Sequence, residues 1–252
     1  MKKLFLITGA TLALGVAGIS YAAASAASAP TVGTLPGAYI GVGLGYGGMD
    51  TPKITPADLV AWSATHGTST LYKGVAARGY LGYLWAIPQV QNLQLGAELG
   101  YNYYPKNKYT LSAGSVSDAW NYSGYNIDLL GVAKYNFGAS GFNVIGKVGP
   151  AYVHQKFHNE LTGLVIPGLT GNRSKSQIKA EVAAGVGYDI NQNIDVNIIY
   201  AHVFGNKPPR IGEMVNVTTP AQILDRMSGK IASVDTVMLT AAYHFGNLGG
   251  IV

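Results

Sequence analysis

The sequence of 252 residues contains no cysteine, and only 12% of its residues are charged. The absence of cysteine excludes a disulfide framework, a thiolate metal site and a cysteine nucleophile. The charged fraction is about half of that in ordinary soluble proteins, which argues against a fully wetted surface. Beyond residue 19 the chain also lacks an apolar run of about 18 residues, so no transmembrane helix is predicted there.

The few charges have no strong excess of one sign. The 17 basic residues exceed the 12 acidic ones by five, and two of the basic ones, Lys2 and Lys3, belong to a predicted leader. Such a small and scattered excess does not predict binding to nucleic acid.

Residues 1–22 have the three-part pattern of a secretory signal peptide. Lys2 and Lys3 form a basic start, residues 4–19 are almost wholly apolar, and small residues follow near the predicted cleavage site at Ala22. An N-terminal membrane anchor is the alternative, but the apolar run is short for a span. Residues 23–36 follow as a short segment without amphipathic period, predicted to be unstructured.

The stretch from Gly185 to Gly205 shows most clearly how the rest of the chain is patterned. Apolar side chains take every second position on both sides of the link 191–193: Val186, Tyr188 and Ile190 before it, and Ile194, Val196, Ile198 and Tyr200 after it. Successive side chains of a strand point to opposite faces, so each run is a strand with one apolar face. A short Asn-rich link between two such runs predicts an antiparallel hairpin.

The same alternation recurs along the chain and predicts eight strands. Their approximate bounds are 37–47, 70–84, 93–103, 122–136, 142–157, 177–190, 194–204 and 230–245. Long loops are predicted after the first, third, fifth and seventh strands, and short turns after the second, fourth and sixth. The second long loop spans Pro105 to Asn121, the third ends at Ser176, and the fourth contains one or two helical turns within Ala221 to Met227. This asymmetry is typical of an up-and-down barrel with one end in open space.

The alternation alone leaves two kinds of barrel open. A soluble, lipocalin-like barrel buries its apolar face, whereas a membrane barrel turns that face toward lipid. Few charges lie on the polar face, and aromatic residues lie near strand ends on the apolar parity, where membrane barrels have their girdles: Tyr46, Tyr83, Tyr101, Tyr103, Tyr135, Tyr188, Tyr243 and Phe245. A closed barrel also leaves no unpaired strand edge in lipid. We therefore predict an all-β, eight-stranded antiparallel up-and-down transmembrane β-barrel over residues 37–246, with residues 247–252 as a tail.

In such a barrel the charged side chains of the strands point into the lumen. They are Arg78, Glu98, Asp128, Lys134, Lys147, Lys179, Glu181, Asp189 and Asp195. Side chains just fill the interior of eight strands, and buried charges persist only when paired and hydrogen-bonded. We expect an internal network of opposite charges that includes Arg78, Glu98 and Lys147. It would serve as a structural plug or, alternatively, as a gate whose pairs exchange to open a narrow pore.

Two stretches carry a resemblance to a known family. The hairpin GVGYDINQNIDVNIIYAHVFG, from Gly185, resembles the last hairpin region of OmpA-type and opacity-type outer-membrane barrels. The start GAYIGVGLGYGG, from Gly37, is similar to the first strand of that superfamily. Two departures are noted: no peptidoglycan-binding domain follows the barrel, and Gly246 to Val252 follow Phe245, where the terminal aromatic read by the assembly machinery would stand.

The resemblance implies a location in the Gram-negative outer membrane and sets the expected function. The leading hypothesis is a structural role with adhesin-like surface recognition through four long outer loops. The alternative is a narrow passive pore for small solutes or ions, and the third hypothesis is a lipid-modifying enzyme. Expected partners are outer-membrane lipid and lipopolysaccharide, the assembly machinery and a host or surface ligand, with the barrel a monomer. Two mildly basic loop pairs would meet lipopolysaccharide phosphates, an acidic glycan or only solvent: Arg173 with Lys175, and Lys207 with Arg210.

No catalytic, cofactor or metal site is predicted from the residues. A deacylase-like site resembles a His and a Ser two residues apart on one strand face, and no histidine of the chain has such a Ser: His66, His154, His158, His202 and His244. His154 and His158 are too far apart along a strand to share a metal. The segment Gly43 to Gly48 matches a dinucleotide pattern but opens no helix. We therefore expect a protein that is not an enzyme and needs no cofactor.

Overall fold

The computed structural model describes residues 33–50, 67–72, 74–113, 116–161, 171–206 and 230–246. The strands are β1 (Gly37–Met49), β2 (Gly67–Tyr72), β3 (Gly74–Ala86), β4 (Leu93–Ala113), β5 (Val116–Asn136), β6 (Phe142–Leu161), β7 (Gly171–Asp189), β8 (Ile194–Val203) and β9 (Val234–Gly246). A 3-10 turn, Gly138–Ser140, connects β5 to β6. Within the described ranges, the structure contains no helix with the length and apolar character that a membrane span requires.

The strands form one antiparallel sheet that closes on itself. Its order is β1, β3, β4, β5, β6, β7, β8 and β9, and β9 pairs with β1 to complete the circle. β2 and β3 pair with successive parts of β4, so they occupy one position in the wall. The predicted eight-stranded barrel is therefore confirmed, with the second predicted strand divided into β2 and β3.

Three short turns lie at one end of the barrel, which we call the short-turn end. Between β5 and β6, Gly138 and Gly141 have φ of 57° and 77°, a left-handed conformation that glycine adopts without steric cost. Between β7 and β8, the amide of Ile190 donates to the carbonyl of Ile194 at 2.9 Å. These turns agree with the short connections predicted from the sequence.

The wall is much taller on one side than on the other. β4, β5, β6 and β7 have 21, 21, 20 and 19 residues, whereas β1, β8 and β9 have 13, 10 and 13. A tilted strand crosses a membrane with about 9–11 residues. Part of the β4–β7 wall therefore extends beyond the barrel, at what we call the extended end.

The prediction of a long loop from Pro105 to Asn121 is wrong. β4 continues to Ala113 and β5 begins at Val116, and the two remain paired from Asn107 opposite Tyr122 to Ala113 opposite Val116. Pro105 misled the prediction because it lies in a shift of register between Tyr104 and Asn107, where a proline is tolerated. The third predicted loop is also too long, since parts of it belong to β6 and β7. The fourth loop, with Ala221 to Met227, lies outside the described residues.

The two faces of the wall differ in the predicted sense. Apolar side chains such as Val186 and Ile198 are 59% and 56% exposed on the outer face. Near the short-turn end, outer aromatic rings form neighbouring pairs: Tyr83 with Trp85, Tyr135 with Phe137, Phe142 with Tyr188, and Tyr243 with Phe245. The inner face carries the buried polar and charged side chains, so the candidate functional site lies in the lumen.

Candidate functional site

Five charged side chains from five neighbouring strands meet at the middle of the lumen, and we call them the central cluster. The Arg78 guanidinium donates to both oxygens of Asp128, at 2.6 and 2.9 Å, and to Glu98 Oε1 at 2.8 Å. Lys147 Nζ donates to both oxygens of Glu98 at 2.7 Å. Arg78 Nη1 also lies 3.9 Å from Glu181 Oε1. The paired charges are nearly inaccessible to solvent. Burial strengthens the attraction between opposite charges and makes any unpaired charge costly.

Neutral side chains complete the hydrogen bonding of this cluster. Asn102 accepts from Arg78 at 2.8 Å and donates to Asp128 at 2.6 Å. Asn126 donates to Glu181 at 2.8 Å, and the Tyr39 hydroxyl donates to Glu98 at 2.8 Å. A bidentate arginine fork supported by amides from adjacent strands links those strands through one connected network of hydrogen bonds.

An aromatic and aliphatic tier lies below the central cluster, toward the short-turn end. It contains Tyr39 and Tyr80, whose rings meet edge to face with centroids 6.1 Å apart. Lys147 Nζ lies 4.9 Å from the Tyr80 ring centroid, within range of a cation–π contact. Buried Leu84, Val132, Ile145, Ala183, Ile199 and Ala242 fill the rest of the tier.

A second group of charges, the lower cluster, lies near the short-turn end. Lys134 Nζ donates to Asp189 at 2.8 Å and to Asp195 at 2.6 Å. Asn143 donates to Asp189 at 2.8 Å, and His244 Nε2 lies 3.1 Å from Asp195 Oδ2. Two carboxylates thus share one lysine in a setting that is almost fully buried.

The segment before β1 closes the lumen below this cluster. Lys134 Nζ donates to the Thr34 hydroxyl at 2.9 Å, and Gln94 donates to the Thr34 carbonyl at 2.8 Å. The amide of Leu35 donates to the carbonyl of Gln192 at 2.9 Å. Residues 23–36 were predicted to be unstructured, and this is wrong for Thr34. Thr34 has no regular secondary structure, but it is buried and these hydrogen bonds hold it in place.

An apolar stopper closes the lumen at the extended end. It contains Ile231, which is fully buried, together with Met49, Tyr104, Tyr122, Phe157 and Val203. Gln155 holds the chain beside Ile231 in place, because its amide group donates to the Ala232 carbonyl and accepts from the Ala232 amide, both at 2.9 Å. The predicted start of the last strand at residue 230 is therefore wrong: Ile231 and Ala232 are buried in the lumen, and β9 begins at Val234.

The predicted site residues do not all join these clusters. Lys179 has the inward parity of β7 but is only half-buried, and it forms no ion pair with residues in the described ranges. Arg173 is exposed and Lys175 half-buried on the part of β7 that rises past β8. Lys207 and Arg210 lie outside the described residues, as do His66, the predicted leader 1–22 and the tail 247–252.

Histidine contacts on the outer face were missed because they join different strands. His154 Nδ1 on β6 lies 2.7 Å from Ser176 Oγ on β7, and the His154 ring stacks on Tyr125. His202 Nδ1 on β8 lies 2.8 Å from Asp235 Oδ1 on β9. A search for a His and a Ser two positions apart on one strand cannot find a pair formed across a hydrogen-bonded ladder; strand register would be needed.

A closed antiparallel barrel with an apolar outer face, aromatic rings at its rim and charges inside defines a transmembrane β-barrel. The chain belongs to the family described as outer membrane protein beta-barrel domain, whose model matches residues 11–245. The protein is accordingly a component of the Gram-negative outer membrane, in contact with its lipid and lipopolysaccharide. In this family of barrels the short turns face the periplasm, so the extended end faces outward.

Individual relatives are distant. The chain is 27% identical over 231 residues to an "Uncharacterized protein" of Coxiella burnetii, covering 81% of this chain and 90% of that one. Among solved structures, Neisserial surface protein A is 14% identical with a TM-score of 0.47, over 82% of this chain and 97% of the other. OprG from Pseudomonas aeruginosa is 14% identical with a TM-score of 0.49, over 85% and 98%.

Proposed function

We propose that this protein is a closed, non-conducting outer-membrane barrel that supports the envelope and recognises ligands with its extended end. The closure of the lumen carries the proposal. Charged, aromatic and apolar tiers follow one another along the axis, from the Ile231 stopper to the Thr34 segment. Since an eight-stranded barrel has room for little beyond its side chains, such tiers should leave no continuous aqueous path through the described part of the barrel.

The tall β4–β7 wall supports the recognition part of the proposal. Its strands are about twice as long as a membrane requires, so the paired strands continue outside the lipid. On one face of this wall Arg173 is exposed and Lys175 is half-buried. We propose that these residues contact an acidic surface ligand, and that Lys207 and Arg210 contribute to the same basic character.

Planar-bilayer recording of the refolded protein tests the closure. We expect no discrete channels from wild-type protein whose folding has been verified by heat-modifiable migration on a gel. Reproducible wild-type channels would contradict the closed barrel and favour the pore.

Binding to a sulfated polymer tests the recognition. Cells that display the protein should retain labelled dextran sulfate better than neutral dextran, and the Arg173→Gln, Lys175→Gln double variant should lose several-fold of that binding. Lys230→Gln is the matched control, because Lys230 is an exposed cation of the same end outside the β4–β7 wall. The difference should shrink at high salt, since exposed charges are screened. Equal binding by the double variant and wild type would contradict the proposed basic surface.

A gated pore is the second candidate, and the central cluster favours it specifically. Arg78 is bonded to Asp128 but has Glu181 within 3.9 Å as a second partner, and the space beside them has room for roughly one water molecule. If the pairs exchange, Glu98→Ala or Lys147→Ala should create or enlarge channels. Leu99→Ala changes the neighbouring outward residue of β4 and should have no effect. If neither Glu98→Ala nor Lys147→Ala produces channels, as for Leu99→Ala, the gate is rejected.

We also propose that the barrel is not an enzyme. The pair formed by His154 and Ser176 is the strongest opposing observation, since a base within 2.7 Å of a hydroxyl is the start of a nucleophilic site. The His154 ring stacks on Tyr125, and Asp235 belongs to a separate pair with His202. Mass spectrometry of lipid A should therefore give the same acyl pattern with wild type and Ser176→Ala. A change in that pattern would contradict a non-catalytic barrel.

A further inference from the structure

Two buried amide oxygens meet above one glycine in the lower cluster. Asn143 on β6 and Asn197 on β8 are the direct cross-strand neighbours of Gly187 on β7. Both side chains point inward, are 1% and 3% exposed, and have an Oδ1 atom without a hydrogen-bond donor in the described part of the chain. A Cβ at Gly187 would collide with the Asn197 oxygen and lie 2.7 Å from the Asn143 oxygen. The glycine therefore leaves the space in which the two oxygens lie side by side.

The orientation of the two amides follows from their other bonds. The Asn143 Nδ2 atom donates to Asp189 Oδ1 at 2.8 Å, and the Asn197 Nδ2 atom donates to Asp195 Oδ1 at 3.0 Å. Rotating either amide by half a turn would set its oxygen against a carboxylate oxygen, which is repulsive. The two carbonyl oxygens are thus held toward Gly187, although neighbouring oxygens without a donor or cation are unfavourable in a buried site.

The lower cluster has an excess of negative charge, and the two amide oxygens add partial negative charge beside it. Two carboxylates, Asp189 and Asp195, face the single ammonium of Lys134, and all three are almost completely buried. A buried negative charge without compensation is costly, so a positive charge is expected close to it. Within the described ranges no group of three or more His, Asp or Glu side chains is arranged as a metal site, which argues against a divalent ion.

We infer that the Asn143 and Asn197 side-chain oxygens bind a monovalent cation of the Na⁺ or K⁺ type above Gly187. Carbonyl oxygens are suitable ligands for such ions, and a charge of +1 balances the lower cluster. The bound ion joins β6 to β8 across Gly187 of β7, just above the periplasmic turns. A proton on His244, which lies 3.1 Å from Asp195, is the competing source of the charge. An ordered water is the competing source of a donor.

Thermal unfolding in different chloride salts tests the site. At equal ionic strength, refolded wild-type protein should have a Tm about 2–4 °C higher in sodium or potassium chloride than in N-methylglucamine chloride, whose cation is too large for the site. Gly187→Ala should abolish this difference, because its Cβ takes the place of the oxygens. Gly146→Ala is the matched control: it also adds a methyl group to a strand glycine of the barrel, but nothing lies within 4 Å of its Cβ. In Gly146→Ala the difference in Tm between the salts should persist.

A second measurement keeps the inference testable if Gly187→Ala does not fold. Crystals of wild-type protein grown in rubidium chloride should show an anomalous-scattering peak between the side-chain oxygens of Asn143 and Asn197. Absence of that peak, or equal wild-type Tm values in all three salts, would overturn the inference in favour of a water or of a proton on His244. Persistence of the salt difference in folded Gly187→Ala would overturn the location.

Discussion

Asp128 and Leu129 are consecutive residues of β5, yet they occupy opposite environments. Asp128 is completely buried and bonded to Arg78, whereas Leu129 is 55% exposed on the outer face. In a soluble barrel the burial of these residues would be exchanged. The apolar residues of this strand therefore face lipid and the polar ones face the lumen, so substitutions on the two faces should have different effects on stability.

The largest effect should come from leaving lumen charges without a partner. Lys134→Met keeps the length and apolar stem of the side chain but removes the ammonium between Asp189 and Asp195. We expect the free energy of unfolding to fall by about 3–5 kcal/mol, because two buried carboxylates lose their cation. Urea-dependent unfolding of the refolded barrel in lipid vesicles measures this loss.

A compensated variant separates charge from packing. Lys134→Met combined with Asp189→Asn and Asp195→Asn removes all three charges and should recover much of the lost stability, since similar polar groups without net charge remain. If Lys134→Met alone were as stable as wild type, the pairing of Lys134 with Asp189 and Asp195 would not stabilise the barrel.

A somewhat smaller effect should come from placing a charge on the outer face. Leu129 lies about midway between the outward Tyr125 and Tyr135 of β5. Leu129→Arg should therefore cost about 2–4 kcal/mol in vesicles, because an arginine at the bilayer midplane loses its hydration. Val75→Arg, near the extended rim, should cost only about 0–1 kcal/mol. Equal costs at the two positions would contradict the assignment of lipid to this face.

The smallest effect should be found at the rim, where neither lipid nor lumen isolates a charge. Asp235 accepts from Tyr200 at 2.5 Å and pairs with His202 at 2.8 Å, but its side chain is 41% exposed. Asp235→Asn should change the free energy of unfolding by less than about 1 kcal/mol, because exposed polar and charged pairs contribute little to stability. A loss as large as that of Lys134→Met would mean that the rim is shielded from water.

The faces of the strands could be predicted because side-chain alternation is a local property. Val186 and Tyr188 identified the lipid side of β7, and Glu181 and Asp189 identified its inner side, from their positions alone. The short turns could be predicted for the same reason, since Gly138, Gly141 and the Asn-rich link mark reversals within a few residues.

Interactions between distant parts of the chain could not be predicted in this way. Nothing near Thr34 in the sequence indicates that it binds Lys134, 100 positions later, or that Ile231 turns into the lumen. The hairpin of β4 and β5 was missed because Pro105 has the appearance of a loop residue when its register shift is unknown. The difference between Lys147, which is bonded to Glu98, and the half-buried Lys179 likewise depends on height in the barrel.

The sequence by itself determined the class of the protein, because periodicity two, scarce charge and aromatic strand ends are compatible with few environments other than a lipid bilayer. It also determined which charges turn inward. The tertiary structure decided which of those charges meet, which end segments close the lumen, and where two amide oxygens converge above Gly187. Closure of the sheet sets these contacts through strand register and stagger, and those are collective properties of eight strands that no single strand encodes.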